Sequence, residues 1–158
     1  MRIGFGVDVH RLEENRPLFI GGIEIPSEKG AIGHSDADVL IHAICDALLG
    51  AANLGDIGTH FSDKDPKYKG IDSKILLRNV MVLLKDKKYQ IGNIDATVVL
   101  ELPKLNPHIS KMKEVLAEIL EVGTENLSIK ATTHESVDSF GNQEAIKSYC
   151  VCLISCSA

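Results

Sequence analysis

His34-Ser35-Asp36-Ala37-Asp38-Val39-Leu40-Ile41-His42-Ala43-Ile44-Cys45-Asp46-Ala47-Leu48-Leu49-Gly50-Ala51-Ala52-Asn53-Leu54-Gly55-Asp56-Ile57-Gly58 is the stretch around which the chain is organised. Ser35 is a good helix N-cap, Asp38 three residues on supplies the acid of a capping box, and an Ala- and Leu-rich run follows until Gly55 stops it. At about 100° per residue, Leu40, Ile44, Ala47, Leu48 and Ala51 fall on one side, while Asp38, His42 and Asp46 share an arc of about 80° on another. A helix normally hides its apolar stripe and solvates its polar one. Here the polar arc sets an imidazole between two carboxylates, with His34 and Asp56 on the flanks. That pattern predicts a site.

Upstream, residues 2–10 alternate. Ile3, Phe5, Val7 and Val9 point one way and predict the buried face of a strand; Gly4, Gly6, Asp8 and His10 point the other way and predict a face cleared by glycine. Asp8 and His10 then reach toward one point. Leu18-Phe19-Ile20 and Ile23-Glu24-Ile25 read as a hairpin about Gly21-Gly22, a dipeptide that supplies positive φ angles, and residues 26–33 read as a loop into the central helix. Downstream, residues 59–70 are polar, contain Pro66 and Gly70, and predict a mobile cover for the site. Asp72 or Ser73 caps a second helix carrying Ile75, Leu76, Asn79, Val80 and Leu83. Tyr89 to Leu102 holds a β-branched central strand. Asn106 caps a third helix, with Pro107 first and a stripe of Ile109, Met112, Leu116, Ile119 and Leu120 up to Gly123. Residues 127–133 alternate into a strand, 134–141 form a polar turn, and a strand about Ile146 to Ile154 closes the chain. This order predicts a mixed α/β fold of the α+β class in a single domain over 1–158: one sheet of mostly long strands packed against three main helices.

Composition narrows the function. At 158 residues and 44% hydrophobic, the chain suits one globular domain, and with no Trp its core rests on Ile, Leu, Val and Ala. The net charge of −5 argues against nucleic-acid and anionic-membrane partners, which select basic surfaces. No apolar run approaches the roughly 18 residues of a membrane span, and Met1-Arg2-Ile3-Gly4 opens straight into strand-like sequence. A soluble protein is expected, cytoplasmic or a mature organellar form. Cys45, Cys150, Cys152 and Cys156 show no metal-binding spacing and are read as reduced thiols.

Three constellations carry chemistry. Asp8, His10 and His42 offer three N/O ligands from a strand and a facing helix, the set of a catalytic zinc that keeps its fourth position open, with Asp38 and Asp46 as outer partners. His34-Ser35 opens the central helix, where free N–H groups favour a phosphate oxygen. Thr132-Thr133-His134-Glu135 joins hydroxyls at a strand end to one carboxylate.

These residues carry a resemblance. Gly6-x-Asp8-Val9-His10, Gly21-Gly22-x-x-Ile25-Pro26, His34-Ser35-Asp36-x-Asp38, His42-x-x-x-Asp46-Ala47-Leu48-Leu49-Gly50-Ala51-Ala52, Leu54-Gly55-Asp56-Ile57-Gly58, Pro103-Lys104-x-x-Pro107-His108 and Lys130-Ala131-Thr132-Thr133 resemble, in order and over nearly the whole chain, the 2-C-methyl-D-erythritol 2,4-cyclodiphosphate synthases of the non-mevalonate isoprenoid pathway. The resemblance implies a homotrimer with the sheets around its threefold axis and active sites between neighbours. It implies conversion of 4-diphosphocytidyl-2-C-methyl-D-erythritol 2-phosphate to the cyclic diphosphate and CMP. Zinc would sit on Asp8, His10 and His42, and a second divalent cation, magnesium or manganese, on Glu135. His34 and Thr133 would steady the reacting phosphates, and Ser35, Asp56, Ile57 and Gly58 would hold the methylerythritol part beside Asp8, Val9 and His10. Phe61, Ser62, Asp63, Lys64 and Asp65 would form the cover. Leu100, Glu101, Leu102, Pro103, Lys104, Leu105 and Asn106, with Thr132, would form the cytidine pocket, and His134 would be a further substrate-binding residue.

Such a chain departs from the family at Asn142, where an Arg is common, and at Ser139, where Phe is usual; the first change predicts weak or no binding of prenyl diphosphates in the axial cavity. The competing classes are a zinc-dependent phosphohydrolase acting on a related nucleotide through water, and a non-catalytic trimeric binding module.

Overall fold

A computed structural model describes residues 1–62 and 64–156 of the chain. Among them the elements run β1 (Arg2–Glu14), β2 (Leu18–Ile20), β3 (Ile23–Ile25), β4 (Lys29–Ile32), α1 (Val39–Ala51), α2 (Ile57–His60), α3 (Ser73–Asp86), β5 (Tyr89–Val99), α4 (Ile109–Leu120), β6 (Leu127–Thr132), α5 (Asp138–Gly141) and β7 (Ala145–Cys156). The sheet is ordered β4-β1-β7-β5-β6, with β5 and β6 parallel across the α4 crossover and the other pairs antiparallel. β2 and β3 form the expected hairpin, with Gly21 at φ 63° and Gly22 at φ 80°.

The central helix begins at Val39, four residues after Ser35. Ala37 takes a positive φ of 58°, so the chain cannot run helically from Ser35. Asp38 is the N-cap. Its carboxylate accepts the Ile41 N–H at 3.0 Å, and also the N–H groups of Gly21 (2.9 Å) and Gly22 (2.7 Å) in the hairpin turn. Asp38 is therefore a fully buried clasp between helix and hairpin, and not an outer partner of the ligand cluster. α1 is buried on almost every side, with His42 and Asp46 half-buried and Gly50 exposed. Sheet, α3 and hairpin enclose it together.

β1 reverses the face assigned from its alternation. The glycine side packs inward, because α1 crosses so close that a Cβ on Gly4 would lie 1.8 Å from the Ala47 carbonyl oxygen, and one on Gly6 2.0 Å from that of Ala43. Ile3 (74% exposed), Phe5 (62%), Val7 and Val9 face away from the helices, beside the half-exposed Tyr149 and Val151 of β7.

Smaller corrections follow. Lys29–Ile32 is an edge strand paired with Arg11–Glu14, where a loop was expected. The stripe of α3 is Leu76, Leu77, Val80, Met81 and Leu84, while Ile75 is exposed. Asn106–His108 is a 3-10 turn, so α4 starts at Ile109; it ends on Glu121 in the left-handed region (φ 55°) before Gly123 is reached. Met112 is core, as its place in the stripe predicts. The four cysteines are free; burial pushes the Cys152 thiol up to about 11 and raises Cys45 and Cys150 as well. Among the described residues, no helix is long and apolar enough to cross a membrane.

Candidate active site

Asp8 and His10 leave β1 on its inward face and meet His42, which α1 presents between its two buried flanks. His10 Nε2 lies 2.8 Å and His42 Nδ1 3.0 Å from Asp8 Oδ2, and the two nitrogens are 3.2 Å apart. The other nitrogen of each ring is already committed. His10 Nδ1 is 3.0 Å from the Ile32 carbonyl, which can only accept, so Nδ1 carries the hydrogen. His42 Nε2 is 2.9 Å from Ser73 Oγ and 3.1 Å from Ser35 Oγ. Ser73 gives its single hydrogen to Asp36 Oδ1, whose carboxylate also accepts the Ser73 N–H at 3.0 Å; Ser73 Oγ must then accept from His42 Nε2–H.

With both outward nitrogens protonated, the carboxylate oxygen and the two inward nitrogens converge as lone pairs. Only a cation makes that arrangement favourable. Burial opposes charge on both sides of the Asp8–His42 pair. Even so, when protons rather than a metal sit between these groups, the hydrogen bonds and charges of His10 and His42 hold the Asp8 carboxyl well below the usual carboxylate range, and those of Asp8, with Asp38 and Asp36, raise His42. A metal ion satisfies all three atoms at once. Ligands at zinc distances of about 2.0–2.1 Å in a tetrahedron stand about 3.3 Å apart, so the trio needs to spread by only a few tenths of an ångström. The donor set fits a divalent metal site.

A cavity of about 330 Å³ opens beside the trio, lined by His10, His34, Ser35, His42, Ile57, Gly58, Phe61, Tyr68, Ile71 and Leu76. Asp46 shapes it indirectly: its carboxylate accepts the Ile57 N–H at 2.7 Å and fixes the start of α2, while burial raises its pKa. Asp56 caps the same short helix through the Thr59 N–H and hydroxyl, both at 2.8 Å, and these bonds hold it below its ordinary value. Phe61 meets the Tyr68 ring edge-on at 5.6 Å. The Asp65 carbonyl stands 3.4 Å from His34 Nε2; Ser62 accepts from the Lys64 N–H, and Lys64 is exposed. Asp63 lies outside the described residues. The Val9 side chain is on the opposite face from its neighbours Asp8 and His10, so it does not reach this cavity. Ser73, Tyr68, Ile71 and Leu76 were not anticipated as site residues. Ser73 reads in sequence as a helix start, and the others as loop and core.

A second cavity, of about 310 Å³, is lined by Leu100, Lys104, Leu105, Asn106, Ala131, Thr132 and Thr133. The Leu100 N–H donates to the Thr132 carbonyl across it at 3.0 Å. Leu102 and Pro103 instead line a separate hollow with Leu12, Pro26 and Lys29. Beyond Thr133, the Thr133 hydroxyl donates to Glu135 Oε1 at 3.2 Å and His134 Nδ1 meets Asp138 Oδ2 at 2.9 Å. Asn142 is exposed after α5, and Lys147 holds its ammonium 4.1 Å from the centre of the Phe140 ring, a cation that the sequence reading had not placed there.

The structure does not bring Glu135 to the Asp8–His10–His42 cluster. Asp8 pairs with Ser148, Ser148 with Val98, and Val98 with Ala131, so three strand spacings, roughly 14 Å, separate the backbone of Asp8 from that of Ala131 in the far wall of the second cavity.

A family model described as the YgbB family matches residues 1–155. The 2-C-methyl-D-erythritol 2,4-cyclodiphosphate synthase of Porphyromonas gingivalis (strain W83) is 60% identical over 153 residues, covering 97% of this chain and 94% of that protein. A solved 2C-methyl-D-erythritol-2,4-cyclodiphosphate synthase in its CDP-bound form is 36% identical with a TM-score of 0.90, covering 98% of this chain and 100% of that one. The bifunctional IspDF of Campylobacter jejuni is 35% identical with a TM-score of 0.94, covering 98% of this chain and 42% of that one.

Proposed function

The chain belongs to the YgbB family of 2-C-methyl-D-erythritol 2,4-cyclodiphosphate synthases, and from that membership we propose how its residues divide the reaction. It converts 4-diphosphocytidyl-2-C-methyl-D-erythritol 2-phosphate to 2-C-methyl-D-erythritol 2,4-cyclodiphosphate and CMP. The 2-phosphate oxygen attacks the β-phosphorus, and the bond from that phosphorus to the bridging oxygen breaks to release CMP. An anionic phosphate needs little help from a base. It needs alignment and relief from charge, in an acidic protein with few cations to spare.

In this reading Asp8, His10 and His42 would hold zinc and Glu135 would hold a second divalent cation, magnesium or manganese. Bound there, the cations would supply Lewis acidity to the phosphates and offset the carboxylates around them. His34 and Thr133 keep the phosphates in line, Ser35, Asp56, Ile57 and Gly58 seat the methylerythritol, and Phe61 with the following residues closes over it and excludes water. The cavity between Leu100–Asn106 and Thr132–Thr133 receives the cytidine, largely through backbone groups.

We place these two half-sites on neighbouring subunits of a homotrimer. The roughly 14 Å between them within one chain supports this. So does the apolar face of Ile3, Phe5, Val7 and Val9, which a lone subunit leaves in water. The protein is assigned to the cytoplasm, where its free thiols stay reduced.

The observation that carries the reading is the convergence of Asp8, His10 and His42 beside a cavity that also holds His34 and Ser35. Phosphorus NMR of the purified protein with its substrate tests it. CMP with a cyclic diphosphate is the expected product pair; release of inorganic phosphate would instead select the zinc phosphohydrolase.

A further inference from the structure

We propose that Glu101 is a positioning residue whose carboxylate ties the floor of the nucleotide cavity to the turn presenting Thr133 and Glu135, so that cytidine binding and placement of the second cation are coupled. This rests on the reading of Glu135 as that cation's ligand.

Glu101 Oε1 accepts two backbone N–H groups, from His134 at 2.9 Å and from Ser136 at 3.1 Å. Those two residues flank Glu135. Both Glu135 (φ 52°) and Ser136 (φ 61°) stand in the left-handed region, where side-chain-bearing residues persist only when their surroundings hold them. Within the turn, the Val137 N–H donates to the His134 carbonyl, and the Asp138 side chain meets the His134 ring. Glu101 ties it by hydrogen bonds from outside, across 33 and 35 residues of sequence.

Position gives the tie its meaning. Glu101 follows Leu100 and precedes Lys104, Leu105 and Asn106, all of which line the cavity, while the opposite wall is Ala131 to Thr133. The Leu100–Thr132 backbone bond and the Glu101–turn bonds are successive rungs between these walls. A nucleoside that shifts the first wall therefore moves Glu135 with it. The two N–H dipoles also face the Glu101 oxygen, and a carboxylate oxygen shared between two N–H groups repels a nearby polyphosphate less than a free one. Glu135 is left exposed, its carboxylate accepting from the Thr133 hydroxyl within the same turn.

The test measures Mn²⁺ binding to the full-length protein by electron paramagnetic resonance, with and without CDP, alongside zinc content. Glu101→Ala is expected to raise the Mn²⁺ half-saturation about tenfold, at the low end for groups that orient a metal ligand, with zinc content unchanged. Glu101→Asp, one methylene short of both N–H groups, should behave like Glu101→Ala. Glu101→Gln, whose carbonyl still accepts both, should stay within about twofold of the parent. If Glu101→Ala fails to fold, the Asp and Gln variants decide the matter between them. CDP should tighten Mn²⁺ binding in the parent and in Glu101→Gln, and not in Glu101→Asp. Unchanged Mn²⁺ binding in Glu101→Asp, or equal loss in Glu101→Gln, overturns the proposal. A Glu135→Gln control separates the two readings: Mn²⁺ binding unchanged there overturns the ligand assignment and the proposal together, while binding lost there but kept in Glu101→Asp overturns the proposal alone.

Discussion

A serine hydroxyl has one hydrogen to give, and Ser73 gives it to Asp36, so His42 turns its protonated nitrogen outward and its lone pair toward Asp8. Ser73→Ala removes the group that fixes this tautomer. We expect zinc affinity to fall about 10- to 100-fold, as for other partners of metal-bound imidazoles, measured by chelator competition. His42→Ala should lose zinc and most activity while circular dichroism stays native, because the apolar flanks of α1 are untouched; wild-type zinc in that variant would contradict the site. Proton competition follows from the same contacts. His42 binds a proton more tightly than an ordinary imidazole, whose value is 6.5, because Asp8 faces it. Below that raised pKa the metal must displace a proton. Zinc affinity should therefore be flat at high pH and fall about tenfold per unit as pH drops through His42's pKa, and affinity independent of pH from about 8.5 to about 5.5 would refute this. The three ligands were legible in sequence because an Asp-x-His pair on a strand and a His on a polar arc are unusual. Ser73 was not, because a serine at a helix start has a simpler explanation.

At the scale of elements, β1 and α1 form the joint that sets the site, and their spacing is held by two glycines. Gly6→Ala puts a methyl where the Ala43 carbonyl stands, between the strand that carries Asp8 and the helix that carries His42. The helix must retreat. We expect a loss of about 3 kcal/mol in urea unfolding, at the upper end for overpacked cores, together with weaker zinc binding. Unfolding and metal binding that both match the parent would show the contact to be softer than it looks. Alternation correctly announced a strand here but assigned its faces the wrong way round. Period two separates two sets of side chains; it does not say which set a helix will cover, and glycine on one side means closeness as readily as room. The same ambiguity hid β4, a four-residue edge strand whose pairing comes from the length of β1 rather than from its own sequence. α1 looked amphipathic and is enclosed, because its two polar side chains face a site and not solvent.

For the whole molecule, the interleaving of strands and helices was legible from periodicity and turn residues, whereas the strand order β4-β1-β7-β5-β6 was not, since the last strand enters the middle of the sheet through pairings set by distant parts of the chain. That order also puts the two cavities three strands apart. The separation has a genetic consequence. If each working centre draws one half from each of two chains, damage to one half does not condemn the other, and two dead alleles can rescue each other. Unfolding and refolding His42→Ala together with Glu135→Ala at equal concentrations should restore about a quarter of wild-type turnover, the fraction of contacts in a randomly mixed ring that join two intact halves. Each parent refolded alone should stay inactive. Centres contained within single chains would show no such complementation, however the two proteins were mixed.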